Sequence, residues 1–405
     1  MVKNVLVIAQ DLRISGTSEG IVSRSFIKRL KMIWPSTRVD VLYTRLHGVS
    51  DEKIELLNAD NVQIENVNRD IPSYIKWLNK FYWRSFHESL NDAHIVNKIS
   101  NIYKSLDFSK YDVIFLRSSG QDYENILAAV EFDFLKKSIV NFHDPYPAFW
   151  DPGSSSNLDM LELKKVKRMH EVVEKAGISI SPSQLLSQDI SVLYNQSKKP
   201  LSTIPHQFEP TAFAFSKLDA EYKKNKKYSI TYHGTLQLGR DIEIIIDAFK
   251  DLLTNTLIEN NFEMILRLKS VHYHKLASKY SGIENIRILK GAKSSICLSE
   301  QIYKSDVALL VENNLEYSNI LPGKLPVLAS SNGTVFSVCP DKSESRRIIE
   351  DDRLVANSKN KKEIQEKLSD LLLRIINNEK VKNPYADYFS LQSFENILNN
   401  LSLVF

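Results

Sequence analysis

Apolar positions run through this chain in two alternating rhythms. Residues 5–9 are apolar without polar alternation, the pattern of a parallel strand buried on both faces. Residues 39–43, 62–67, 111–116 and 138–142 read as further strands, and 178–183 as a last short one with its turn. Between them lie Gly16, Gly20 and a helical stripe through Ile21, Phe26, Ile27 and Leu30, then helices predicted over 122–134 and 159–176. The rhythm restarts at residue 228. Ile230, Thr231 and Tyr232 form a strand closed by Gly234, and Ile242, Ile245, Ile246 and Phe249 follow at helical spacing, with Asp241 placed as N-cap. Strands at 262–269, 286–289, 306–311 and 334–338 then alternate with helices at 272–280, 295–304 and 361–377. Such alternation is the signature of doubly wound α/β sheets. A chain of 405 residues exceeds what one core usually supports, so two domains are expected.

One stretch departs from this pattern. Residues 73–87 are dense in aromatics, and on a helix Tyr74, Trp77, Leu78, Phe81 and Tyr82 fall on one stripe, with Lys76, Lys80 and Arg84 away from its centre. Core packing is the commoner meaning of such a stripe; the other is an interfacial helix meeting anionic lipid or a lipid-linked acceptor.

Composition narrows the class. With 43% hydrophobic and 25% charged residues the chain reads as an ordinary globular protein. Two cysteines, Cys297 and Cys339, argue against a disulfide framework and exclude a cysteine-built metal site. A net charge of +4 does not suggest a nucleic-acid binder and is compatible with an anionic substrate or membrane surface. The first apolar run stops at Gln10 and Asp11, and no run approaches 18 residues, so the expected location is cytoplasmic, at most peripheral on the inner face of the membrane.

Three places carry candidate chemistry. A strand, the Gly234 turn and a helix opening beside Arg240 make an anion site, because free N–H groups and a positive dipole end converge there; the plain alternative is an ordinary βα turn. Pro322 and Gly323 start a short helix with Lys324 in its first turn, a second anion site at a strand's carboxyl edge. His143 and Asp144 stand at the carboxyl end of another strand, with Pro145 and Pro147 stiffening the loop behind them, and the histidine is either functional or a structural hydrogen-bonding group. Gly16, after the first strand, either lets its backbone approach a ligand or makes a tight turn. His272 and His274 have no third ligand, so no metal is expected there, and no D-x-D pair occurs in the chain.

In these residues the chain resembles retaining GT-B glycosyltransferases of the family 4 type. The strand, Gly234-Thr235-Leu236, Arg240-Asp241 and the amphipathic helix resemble the opening of that family's second domain, with Thr235 at the place of its arginine and Arg240 at the place of its lysine. His143-Asp144 matches the family's His-Asp, whose histidine faces the donor sugar, and Pro322-Gly323-Lys324-Leu325 matches its Pro-small-Lys-hydrophobic run. Val327-Leu328 stands where the family has Glu-Tyr, so Glu312 or Glu316 is the substitute for the ribose-binding glutamate. His206-Gln207 replaces the end of the family's Pro-Asn-Gly, at a hinge to which no contact is assigned.

The resemblance implies an α/β GT-B architecture, two Rossmann-like doubly wound domains facing a central cleft. Residues 1–202 would form the acceptor-side domain, completed by the closing helix 385–405, and 203–384 the nucleotide-sugar domain. It implies a catalytic set of His143, Asp144, Arg240 and Lys324. The donor set is Gly16, Gly234, Thr235, Arg240, Glu312, Glu316, Asn319, Gly323, Lys324 and Leu325. No cofactor is implied beyond the nucleotide-diphosphate-sugar itself. The implied activity is retaining, metal-independent transfer of a sugar to a glycan, lipid-linked or other hydroxyl acceptor, in bacterial surface polysaccharide or glycan assembly. A nucleotide-sugar 2-epimerase and a catalytically silent nucleotide-binding partner subunit are the alternatives.

Overall fold

The computed structural model describes residues 2–14, 18–48, 52–195, 201–236, 239–269, 272–379, 381, 383 and 385–401. The chain divides into two compact units, Met1–Phe213 with Leu391–Phe405, and Ala214–Ser390.

The first unit is built on seven parallel strands: β1 (Asn4–Ala9), β2 (Arg38–Arg45), β3 (Asn61–Asn66), β4 (Val113–Arg117), β5 (Ser138–Asn141), β6 (Ile178–Ser181) and β7 (Leu201–Thr203), in the order β3-β2-β1-β4-β5-β6-β7. The uninterrupted apolar runs sit at its centre. Val5, Val7 and Ala9 face one apolar layer, and Leu6 and Ile8 the other, because successive strand side chains point to opposite faces. On the first face lie α1 (Ser18–Ile33) and the closing helix Leu391–Asn400, where Phe26 meets Phe115 and Phe394 edge-on at 5.1 and 5.5 Å.

The other helices of this unit are α2 (Ser73–Phe86), α3 (Leu90–Lys104), α4 (Glu124–Ala128), α5 (Met160–Lys175) and α6 (Gln184–Leu193). The helix expected over 122–134 is short. After α4 the chain turns through 129–131 and 133–137, because Phe132 is extended, at φ −112° and ψ 139°, and delivers the chain to β5. α3, unassigned from the sequence, is capped by Ser89 Oγ, which accepts from the Asp92 N–H at 3.1 Å, and buries Ile95, Val96, Ile99 and Tyr103. α2 buries none of its residues, so the core reading of its aromatic stripe fails.

The second unit holds six parallel strands: β8 (Tyr228–Gly234), β9 (Phe262–Leu268), β10 (Ile286–Lys290), β11 (Val307–Val311), then, past the two-residue β12 (Tyr317–Ser318), β13 (Thr334–Cys339), and past β14 (Lys342–Ser343), β15 (Val355–Asn357). Their order is β10-β9-β8-β11-β13-β15, with β12 and β14 paired separately. Helices α7 (Glu243–Leu252), α8 (Thr256–Asn261), α9 (Tyr273–Lys279), α10 (Ser294–Tyr303), α11 (Leu325–Ala329), α12 (Glu344–Ile349) and α13 (Lys361–Ile376) connect or cover them. Among the described residues no helix is long and apolar enough to cross a membrane.

Candidate functional site

In the second unit the predicted anion residues converge at the end of β8. Gly234 has φ +149°, which L side chains rarely adopt, and a Cβ there would collide with the Lys324 ammonium and lie 3.0 Å from its Cε, so any side chain at this position would strain the turn and push the ammonium aside. The ammonium donates to the His233 carbonyl and lies 4.5 Å from the centre of the Tyr232 ring. Tyr232 is itself held by its hydroxyl, which donates to the Thr235 carbonyl at 2.9 Å, and Arg240 Nη1 reaches the same carbonyl at 3.4 Å. Thus β8, its turn and the approach to α11 place two cations around one glycine. Burial, with the Arg240 charge adding to it, pushes the Lys324 pKa down to about 7.

Some predicted members take other places. Lys324 caps α11 rather than sitting in its first turn, because Pro326 occupies the opening of that helix. The Leu325 N–H is taken by the Pro322 carbonyl at 2.9 Å and its side chain is wholly buried in the core, so neither points to a ligand. Asp241 does cap: its Oδ1 accepts from the Glu243 and Ile244 N–H groups at 3.0 and 3.3 Å. Asn319 is buried, and Gly323 immediately precedes Lys324. Of the two substitute glutamates, Glu316 is exposed and ion-paired with Lys359 at 2.5 Å, because its segment leads outward into β12; it joins no site. Glu312, following β11, is buried, and its Oε1 accepts no hydrogen bond from the described residues. Burial pushes its carboxyl up to about 7, while the Ser345 and Ser318 hydroxyls beside it and, after them, the Arg240 charge pull it down.

Beneath this site lies a buried network that sequence reasoning missed. Glu300 Oε2 pairs with His233 Nε2 at 2.9 Å, and Arg267 forks onto both Glu300 oxygens at 2.7 and 2.6 Å. Despite its burial, His233 and Arg267 hold the Glu300 carboxyl down to about 2. The carboxylate is saturated, which leaves the Lys324 ammonium a backbone carbonyl and an aromatic face.

In the first unit, β5 delivers His143 and Asp144. The His143 N–H donates to Ser118 Oγ at 3.0 Å; its ring is 2% exposed, and Nδ1 has no partner among the described residues. The imidazole packs on His206 with ring centres 4.5 Å apart and planes 35° off parallel. Burial, with Arg117 adding, keeps His143 neutral by pushing its pKa down to about 3, and His206 is held well below the usual range by burial and by His143. Arg117 is itself buried 4.3 Å from the centre of the Phe26 ring. His206, at the expected hinge to which no contact is assigned from the sequence, packs its ring against His143. Burial pushes the Asp144 carboxyl up to about 8, with Glu19 and Asp151 adding negative charge. The turn at Gly120, φ +57°, brings Asp144 and Glu19 close: a Cβ there would lie 3.4 and 3.5 Å from their carboxylate oxygens. Gly16 lies outside the described residues.

No protein-family model matches the sequence, and no curated protein matches it either. Solved structures match over nearly the whole chain. Sucrose-phosphate synthase from Thermosynechococcus elongatus aligns with TM-score 0.63 and 10% identity over 98% of this chain and 97% of its own. Anabaena HepE in complex with UDP and glucose aligns with TM-score 0.57 and 10% identity over 98% of each chain. The fold is GT-B. A putative UDP-N-acetylglucosamine 2-epimerase from Listeria monocytogenes shares it, with TM-score 0.56 and 14% identity over 97% of this chain and 94% of its own. In this GT-B chain Gly234 and Lys324 stand at the carboxyl edge of the second sheet and His143 at that of the first, the edges where open α/β sheets bind ligands.

Proposed function

We propose that this chain is a glycosyltransferase that moves a sugar from a nucleotide-diphosphate-sugar to an acceptor hydroxyl, with retention and without a metal. The observation that carries the reading is the Lys324 ammonium held over Gly234 beside Arg240, with no carboxylate paired to it among the described residues. A diphosphate leaving group gains negative charge as the glycosidic bond breaks, and fixed cations already in place stabilise it without reorganisation. Lys324 and Arg240 serve that role. Glu312 accepts from the ribose hydroxyls in this reading, which its Oε1, taking no hydrogen bond from the described residues, supports. Neutral His143 offers Nδ1 to the donor sugar, and Asp144 and Glu19 line the acceptor side. The departing phosphate takes the acceptor's proton, as the family resemblance implies. HepE was solved with UDP and glucose, which supports a nucleotide-sugar as donor.

The place we assign the enzyme is the inner face of a bacterial membrane, in surface polysaccharide or glycan assembly, with α2 as the element that meets an anionic surface. The experiment is to incubate the purified chain with a panel of nucleotide-sugars and follow release of nucleoside diphosphate. Release that rises with an added glycan acceptor supports transfer. Formation of the 2-epimer with no acceptor would hand the site to epimerisation, which the Listeria neighbour's fold also houses. The absence of both nucleoside diphosphate release and thermal stabilisation with every donor would falsify the reading.

A further inference from the structure

Among the described residues fifteen large apolar side chains lie exposed, and nine of them fall in two short segments of the first unit. Six are on α2: Tyr74, Trp77, Leu78, Phe81, Trp83 and Phe86, with Trp77 59% and Phe81 58% exposed. At 100° per residue Tyr74, Trp77, Leu78 and Phe81 share one face of α2, Phe86 flanks it, and Trp83 stands on the other side near Lys76. α2 carries no acidic residue, and its Lys76, Lys80 and Arg84 are exposed.

The other three, Leu158, Met160 and Leu163, sit at the start of α5, whose Lys167 and Arg168 are also exposed. The two segments are neighbours: Lys164 Nζ on α5 pairs with Glu88, two residues past α2, at 2.8 Å. The same end of α5 is tied to the loop that carries His143, because Glu162 accepts from the Phe149 N–H at 3.3 Å.

Building on the transferase reading, we infer that the exposed face of α2 and the start of α5 form one docking surface for an anionic phospholipid bilayer, and that the acceptor is a lipid-linked sugar presented there. Aromatic side chains enter at headgroup depth while lysine and arginine ends stay with lipid phosphates. The α5 segment adds a second apolar foothold that a single helix lacks. Its tie to the His143 loop fixes the catalytic edge of this unit relative to the lipid, so a headgroup sugar arrives beside Asp144 rather than at an arbitrary distance.

The test is co-sedimentation of the full chain with vesicles of phosphatidylglycerol and phosphatidylcholine, and of phosphatidylcholine alone, without any donor. The wild type should bind the anionic vesicles and release them as salt rises. Lys76→Ala/Lys80→Ala/Arg84→Ala should bind about a hundredfold more weakly at low salt, at roughly fivefold per cation. Met160→Ser/Leu163→Ser should weaken binding at least fivefold with the circular dichroism spectrum unchanged. Wild-type affinity in that double variant overturns the two-segment surface, as does equal binding to neutral vesicles. Self-association of the free chain that is abolished by Trp77→Ser/Phe81→Ser would also overturn it, by making the face an interface between copies. Donor turnover is not read in this assay, so absent vesicle binding with intact transfer refutes the surface alone, and intact vesicle binding without nucleotide release refutes the transferase reading alone.

Discussion

Replacing Lys324 with Met removes the ammonium and keeps most of the side chain's volume, so it isolates the charge. In the free protein that charge is unfavourable. The fall from 10.5 to about 7 amounts to a few kcal/mol disfavouring the folded, protonated form, less where solvent screens it. The sign follows from linkage. Below about pH 7 both folded and unfolded chains hold the proton and the whole penalty is present. Between pH 7 and 10.5 the folded chain releases the proton first, and the penalty fades as pH rises. Lys324→Met should therefore raise the urea midpoint at pH 6 and have a smaller effect at pH 10.

The donor reverses the balance. A diphosphate beside Lys324 favours the cation, so binding at pH 8 should take up close to one proton, and binding at pH 6 almost none. Calorimetry in buffers of different ionisation enthalpy reads that number directly. The kcat/KM for donor should fall above about pH 7 as the free enzyme loses this proton. Lys324→Met should lower turnover by roughly 10²-fold, the usual loss for one electrostatic donor, and bind nucleoside diphosphate without proton uptake. Equal proton uptake by wild type and variant, or a variant destabilised as much at pH 6 as at pH 10, would refute the reasoning.

Two further substitutions separate the rest of the site. Gly234→Ala drives its methyl group into the Lys324 ammonium, so it should weaken nucleoside diphosphate binding at least tenfold by calorimetry with the circular dichroism spectrum retained; unchanged affinity would mean that the ammonium's present position is irrelevant to the donor. His206→Ala removes the ring packed 4.5 Å from His143 and should lower turnover about tenfold with donor affinity unchanged, while His206→Phe keeps a ring there and most of the turnover; equal losses in both would assign the effect to the His206 nitrogens instead.

Local chemistry made much of this legible in advance. The central strands announced themselves because a strand covered on both faces has no polar positions, as in residues 5–9 and 307–311. Gly234 and Arg240 were found because the glycine turn and the helix start lie within a few residues of each other. α3 carried its apolar spacing at Ile95, Val96, Ile99 and Tyr103 in plain view beside the more conspicuous α2. β15 has three residues, too few for any period to show.

What could not be read was assembled from distant parts. His206 meets His143 across 63 positions, and Glu300 gathers His233 and Arg267 from 67 and 33 positions away. Neither contact leaves a local mark. The unit boundary shows the same limit. Residues 204–213 stay with the first unit because the Ile204 N–H donates to the Ser181 carbonyl at 2.9 Å, Arg29 Nη1 reaches Gln207 at 2.8 Å, and Arg24 Nη2 holds the Ala212 carbonyl at 2.8 Å. A reading that ends the domain at a strand has no means of seeing those arginines.

The way charges are paired in the second unit favours anion binding over mere stability. If the network beneath β8 existed only to satisfy buried ions, Glu300 would best be shared with Lys324, the least favourable cation nearby. Instead Glu300 is saturated by Arg267 and His233, and two backbone N–H groups, from Glu221 and Tyr222, also donate to it at 3.3 and 3.4 Å. Among the described residues Lys324 has a carbonyl and a ring, and Glu312, pushed up to about 7 with Ser345 and Ser318 beside its carboxyl, has in Oε1 an oxygen that takes no hydrogen bond. One cation and one carboxyl thus stand near their neutral points, each with hydrogen-bonding capacity unused among the described residues, at the carboxyl edge of the sheet. A molecule with a diphosphate at one end and a diol beside it supplies both partners at once, whereas a phosphate alone would satisfy only the lysine. The site is accordingly expected to prefer nucleoside diphosphates over inorganic pyrophosphate by the contribution of the ribose, and the part of that preference carried by Glu312 should vanish in Glu312→Ala.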